Sequence, residues 1–171
     1  MGRFLAGVLA MLLASAAPAA AKAHHNSFDG SCRLTGVLEF DQPLGMQPIT
    51  TTFADSATGT CTGRLNGSDV RDIPVVNVVT GTATASCGAG EAHTVDTLIF
   101  AGRWRIGIFT DSDFALTQGV AHTRGAVSGE SVEHVDLLPY ADQTLLVKCA
   151  AGALYDARYD LMARTITPLV G

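Results

Sequence analysis

The sequence predicts an all-β domain: an antiparallel β-sandwich or flattened barrel of about eight or nine strands, with one short helix near residues 141–149. Three observations predict it. Apolar and polar residues alternate with a period of two over several stretches. Glycine and Asn/Asp clusters punctuate those stretches at short intervals. No strand–helix–strand alternation occurs, so a parallel sheet is excluded. Aromatic residues make up only 6% of the chain, which leaves threonine, valine and alanine to fill the candidate strands. Threonine and valine are stiff at χ1 and suit a pleated surface.

Residues 1–23 read as a secretory signal peptide. Arg3 supplies the positive end, Phe4 to Ala14 is an apolar run too short to span a bilayer, and small residues follow with Ala-x-Ala cleavage signals ending at Ala21 and Ala23. Residues 24–31 are polar and aperiodic, as in a flexible arm. The remainder, 32–171, reads as one disulfide-stabilised domain. Cys32 to Phe40 alternates, with Cys32, Leu34, Gly36, Leu38 and Phe40 on one face. Ile49 to Ala54 and Gly59 to Leu65 are two further extended runs, and Asn66-Gly67 is a turn, since both residues tolerate positive φ.

Pro74 to Cys87 is the longest strand candidate, and Gly88 to Gly90 turns the chain. Thr94 to Phe100 and Trp104 to Thr110 flank a three-residue hairpin loop, with Trp104, Ile106 and Ile108 toward the core. Asp111-Ser112-Asp113 ends that strand; it has the first two ligands of a calcium loop, but Ala115 and Leu116 break the pattern. Leu116 to His122 and Ser131 to Leu138 form the next pair, joined by Arg124 to Glu130. Helical spacing of Leu145, Leu146 and Cys149 behind an Asp142 N-cap predicts the helix. Leu154 to Thr167 alternates again, with Tyr155, Ala157, Tyr159, Leu161 and Ala163 on one face.

Four cysteines permit three pairings. Inward placement on adjacent strands favours Cys61–Cys87, leaving Cys32–Cys149; Cys32–Cys61 with Cys87–Cys149 is the rival. No close Cys pair exists, so a four-thiolate metal site is excluded. The whole chain has 11 basic and 16 acidic residues; without Arg3 and Lys22 the net charge is −7. Nucleic acid is therefore an unexpected partner, and no apolar run beyond residue 23 would anchor the mature chain in a membrane.

Two constellations carry candidate chemistry. Cleavage after Ala21 or Ala23 places His24 and His25 at the new N-terminus, where an amine, backbone amides and imidazoles chelate a copper ion; the plain alternative is two polar residues in a loose arm. His134 and Asp136 share one face of a strand beside His122, with Glu133 on the other face. Such a set can orient an imidazole as general base for a hydrolase or bind metal, and the plain alternative is a solvated strand face. No Gly-x-Ser-x-Gly elbow marks a nucleophile.

The run Cys32-Arg33-Leu34-Thr35-Gly36-Val37-Leu38-Glu39-Phe40 with Pro43-Leu44, the run Gly59 to Gly67, and Ser86-Cys87-Gly88 resemble uncharacterised secreted bacterial all-β proteins with paired cysteines. The resemblance implies an extracellular β-domain and carries no activity or site residue. The expectation is thus a secreted, non-enzymatic module, extracellular or in the cell envelope, with an unknown ligand and no cofactor; the alternatives are copper binding through His24 and His25, and hydrolysis through His134 and Asp136.

Overall fold

The computed structural model describes residues 24–115, 118–137 and 143–171. Eight antiparallel strands follow one another around a closed barrel: β1 (Ser27–Leu44), β2 (Ile49–Leu65), β3 (Ser68–Ala85), β4 (Ala89–Phe100), β5 (Trp104–Ala115), β6 (Gln118–Gly125), β7 (Ser128–Leu137) and β8 (Leu154–Val170). Each strand pairs with its sequence neighbours, and β8 returns to pair with β1. The barrel alternative is therefore the architecture adopted. One helix, α1 (Gln143–Ala150), interrupts the meander before β8 at the predicted place; Asp142, the expected N-cap, lies outside the described residues.

Side-chain alternation sets inside from outside. The two predicted runs at Ile49–Ala54 and Gly59–Leu65 are one 17-residue strand, because Asp55 and Ala57 continue the inward set between them; Ala57 is 0% exposed. β1 begins at Ser27, so Ser27 to Ser31 is strand and not arm: Phe28 is 1% exposed and stacks on Phe100 at 4.9 Å between ring centroids. β5 runs on through Asp111-Ser112-Asp113 to Ala115, and β6 and β7 are joined across residues 126–127 alone. At the start of β8 the expected parity fails. Tyr155 and Asp156 are both exposed, at a bulge where the register jumps from Glu39↔Asp156 to Leu44↔Leu154, so Leu154 and not Tyr155 enters the core.

The two ends of the barrel differ. At one end the turns are tight: Asn66 (φ 52°) and Gly67 (φ 78°) supply the two left-handed residues of a type I′ hairpin. A plug of Phe28, Leu65, Phe100, Ile106 and Leu169 fills the interior there. Asn26 and Gly171 exchange backbone hydrogen bonds at 3.1 and 3.2 Å, which ties the two ends of the described chain together. At the other end lies the longest connection, between β7 and β8, and its helix α1 is fastened by a Cys87–Cys149 disulfide and a Lys148–Asp156 ion pair at 3.5 Å. The second disulfide joins Cys32 to Cys61, residues directly opposite on β1 and β2 with Cα atoms 4.1 Å apart.

The favoured pairing is therefore corrected to its rival. β2 and β3 are neighbours, but their antiparallel register sets Cys61 against Ile73 and carries Cys87 past the far end of the ladder, beyond Ile49↔Ala85. Two disulfides belong to an oxidising compartment. Among the described residues no helix is long and apolar enough to cross a membrane. The outward positions include Arg33, Glu39, Arg64, Arg105, Asp111 and Arg164, the reverse of the apolar-out, polar-in pattern of membrane barrels.

Candidate functional site

The interior of the α1 end is a cavity of about 130 Å³. Its wall is apolar, with Leu38, Phe40, Phe53, Val79, Phe114 and Leu154 among the lining side chains. Phe40 and Phe53 pack at 6.0 Å from β1 and β2. Between this cavity and the plug at the opposite end lies a polar layer: Asp55 from β2, Asp96 from β4, Thr110 from β5, Thr123 from β6, Glu133 from β7 and Tyr159 from β8. Each occupies an inward position of its strand, so the two-residue period that builds the wall also aims the carboxyl groups at one another.

The layer has two hydrogen-bonded parts. In the first, Tyr159 donates from Oη to Asp55 Oδ2, and the Val37 amide donates to Asp55 Oδ1 at 3.1 Å. Gly36 makes this possible. A Cβ there would lie 2.7 Å from the Tyr159 hydroxyl and 2.8 Å from Asp55 Oδ1. Burial raises the Asp55 carboxyl above its usual range, the Tyr159 and backbone hydrogen bonds oppose the rise, and the Glu39 charge adds to it. Tyr159 is pushed well above an ordinary phenol, first by burial and then by the carboxylate it donates to.

In the second part, Asp96 and Glu133 are linked through two hydroxyls. Thr110 Oγ1 lies 2.9 Å from Asp96 Oδ2 and 3.1 Å from Thr123 Oγ1, which lies 2.8 Å from Glu133 Oε1. A hydroxyl carries one hydrogen. Two threonines cannot supply three bonds, so the complete chain requires one carboxyl to be protonated and to donate inward. Burial drives both acids toward that state. Asp96 is pushed up to about 6 by burial, with the Thr94 and Thr110 hydroxyls opposing the rise and the nearby Asp55 charge adding to it. Glu133 is pushed up to about 7, again by burial first and then by the Asp96 charge, against the Thr123 hydrogen bond. The two acids share that proton as a coupled pair. Among the described residues Asp96 Oδ1 is buried without a hydrogen bond of good geometry, as are the nearby Thr94 Oγ1 and Asn77 Oδ1 on the same cavity wall.

The residues singled out in the sequence fall elsewhere. His122, His134 and Asp136 are exposed on outward positions of β6 and β7. Val120, not His122, is the register partner of His134, and His122 lies opposite Val132. Their neighbour Glu133, assigned correctly to the other face, is the one that enters the barrel. His24 and His25 are exposed ahead of β1, and among the described residues no group of three His, Cys, Asp or Glu side chains is placed to hold a metal ion. The interior acids were missed in the sequence. The available signal was an acid at inward parity: Asp55 between Phe53 and Ala57, and Asp96 between Ala92 and Leu98.

Fold and site together define a class: a disulfide-tied up-and-down barrel whose apolar cavity rests on buried carboxyl groups. No known protein family, curated protein or solved structure matches the chain.

Proposed function

We propose that this chain is an exported, non-enzymatic binding protein that holds one small, mainly apolar molecule inside the barrel. The observation that carries the reading is the apolar cavity at the α1 end. Eight-stranded barrels have an interior just wide enough to be filled by side chains or to hold one small ligand, and here a second apolar cluster that includes Phe40, Phe53, Val79 and Leu154 packs round the space left at the α1 end. Size narrows the ligand. An engineered apolar cavity of about 150 Å³ accepts one benzene, so a space of about 130 Å³ suits a single ring or a short chain. Export is supported by the leader pattern of residues 1–23 and by the two disulfides. A carrier is favoured over a hydrolase because His134 and Asp136, the candidate base and its orienter, face away from the cavity.

The test is thermal unfolding by calorimetry with toluene and benzyl alcohol. Binding to the folded state at about 100 times Kd adds about 2.7 kcal/mol. Ala83, buried on the cavity wall, is the position for a filling control. The expected result is a ligand-dependent rise in Tm that Ala83→Leu diminishes. No rise with either compound refutes the reading.

A further inference from the structure

We infer that the molecule held in the barrel is a small organic amine, bound as its ammonium ion, with its N–H groups on Asp96 Oδ1 and its apolar body in the cavity above. The inference rests on the binding reading just given and specifies the chemical class of the ligand.

Three observations converge on it. The first is an unsatisfied acceptor. Asp96 is 5% exposed and lines the cavity, its Oδ2 is held by Thr110, and among the described residues no donor meets its Oδ1 in good hydrogen-bond geometry, the nearby Thr94 hydroxyl included. A buried carboxylate oxygen left without a donor costs free energy that a bound donor recovers. Asn77 Oδ1, a second acceptor without a partner, lines the same cavity.

The second is the sign of the interior. Asp55, Asp96, Asp113 and Glu133 line the cavity, and among the described residues no lysine, arginine or histidine does. Asp55 is already satisfied by Tyr159 and Val37, and Glu133 Oε1 by Thr123. The remaining unmet demand is for hydrogen-bond donors carrying positive charge. An anionic or acceptor-only ligand would add to the repulsion.

The third is the proton count of the Asp96–Thr110–Thr123–Glu133 chain. With one carboxyl protonated, every hydroxyl in the chain is used and a single negative charge remains, shared between two acids that both line the cavity. That charge matches a monocation. A divalent metal ion would need several oxygens converging, and among the described residues no such group is formed.

The experiment compares three near-isosteric ligands on the intact protein by isothermal titration calorimetry at about pH 6.5, between the two carboxyl values: benzylamine, benzyl alcohol and toluene. The expected result is that benzylamine binds at least about tenfold tighter than benzyl alcohol, in keeping with a charge-assisted hydrogen bond in a dry site. Asp96→Asn should remove that preference while leaving toluene affinity within about twofold, and Asp136→Asn, on the outer face, should change neither. Circular dichroism confirms that each variant is folded. Equal affinity for the amine and the alcohol, or a preference that survives Asp96→Asn, overturns the amine inference while the carrier reading stands. Binding of none of the three overturns both.

Discussion

Asp96→Asn should make the protein more stable at neutral pH, although it removes a hydrogen-bonded, buried side chain. The Asp96 carboxyl titrates at about 6 in the folded protein against 3.8 when unperturbed. A carboxyl whose folded pKa is raised binds its proton more tightly when folded. Its contribution is favourable below about pH 3.8, declines as pH rises through about 6, and stays lost above that. The difference corresponds to about 3 kcal/mol. Asparagine keeps an acceptor for Thr110 and carries no charge, so it should recover most of that penalty at pH 8 and none at pH 3.5. For a chain of this length, about 3 kcal/mol is about 6–12 °C in Tm. Calorimetric scans of both proteins at the two pH values test it. The expected pattern is a higher Tm for the variant at pH 8 and coincident values at pH 3.5. A variant that melts lower at pH 8, or that keeps the pH dependence of the parent, would refute the account of Asp96 as a buried anion held at a cost.

Glu133→Gln should act in the same direction over a window from about 4.5 to about 7, and the double variant should gain less than the two single gains combined, because the acids share one proton through Thr110 and Thr123. Tyr159→Phe leaves Asp55 without its hydroxyl donor and should lower stability by about 1–3 kcal/mol in denaturant titration. Gly36→Ala should lower it at least as much, since the new Cβ would collide with the Tyr159 hydroxyl; both variants should unfold at lower urea. Replacing Cys87 and Cys149 together by alanine opens a 62-residue loop and should lose about 4 kcal/mol, read as an earlier urea midpoint.

Much of the fold was legible because the barrel wall obeys one rule. Cys32 to Phe40, Cys61 to Leu65, and Ile106 with Ile108 alternate in the sequence as they do in the strands. The Asn66-Gly67 turn was visible for an equally local reason. The features that escaped depend on register or on small residues. Asp55 and Ala57 carry the interior of β2 without a large side chain, so one long strand looked like two. The pairing of Cys32 with Cys61 depends on which residues of β1 and β2 stand opposite, which alternation does not specify. The candidate site was misplaced by a single position. Histidine and aspartate at 134 and 136 drew attention as familiar catalytic types, while the acid between Val132 and His134 was the one aimed inward. Closing eight strands into a ring turns isolated inward acids on β2, β4 and β7 into neighbours, and no short-range pattern announces that.

The seam between β1 and β8 also governs how the chain reaches its folded form. Ser27 pairs with Val170, so the first strand waits for the last before either has both its partners. The loop entropy of nearly the whole polypeptide is spent before that seam returns any contact, which places folding among the slow, millisecond-to-second class. A ribbon of this kind cannot close until its final strand arrives, so the ring is completed last.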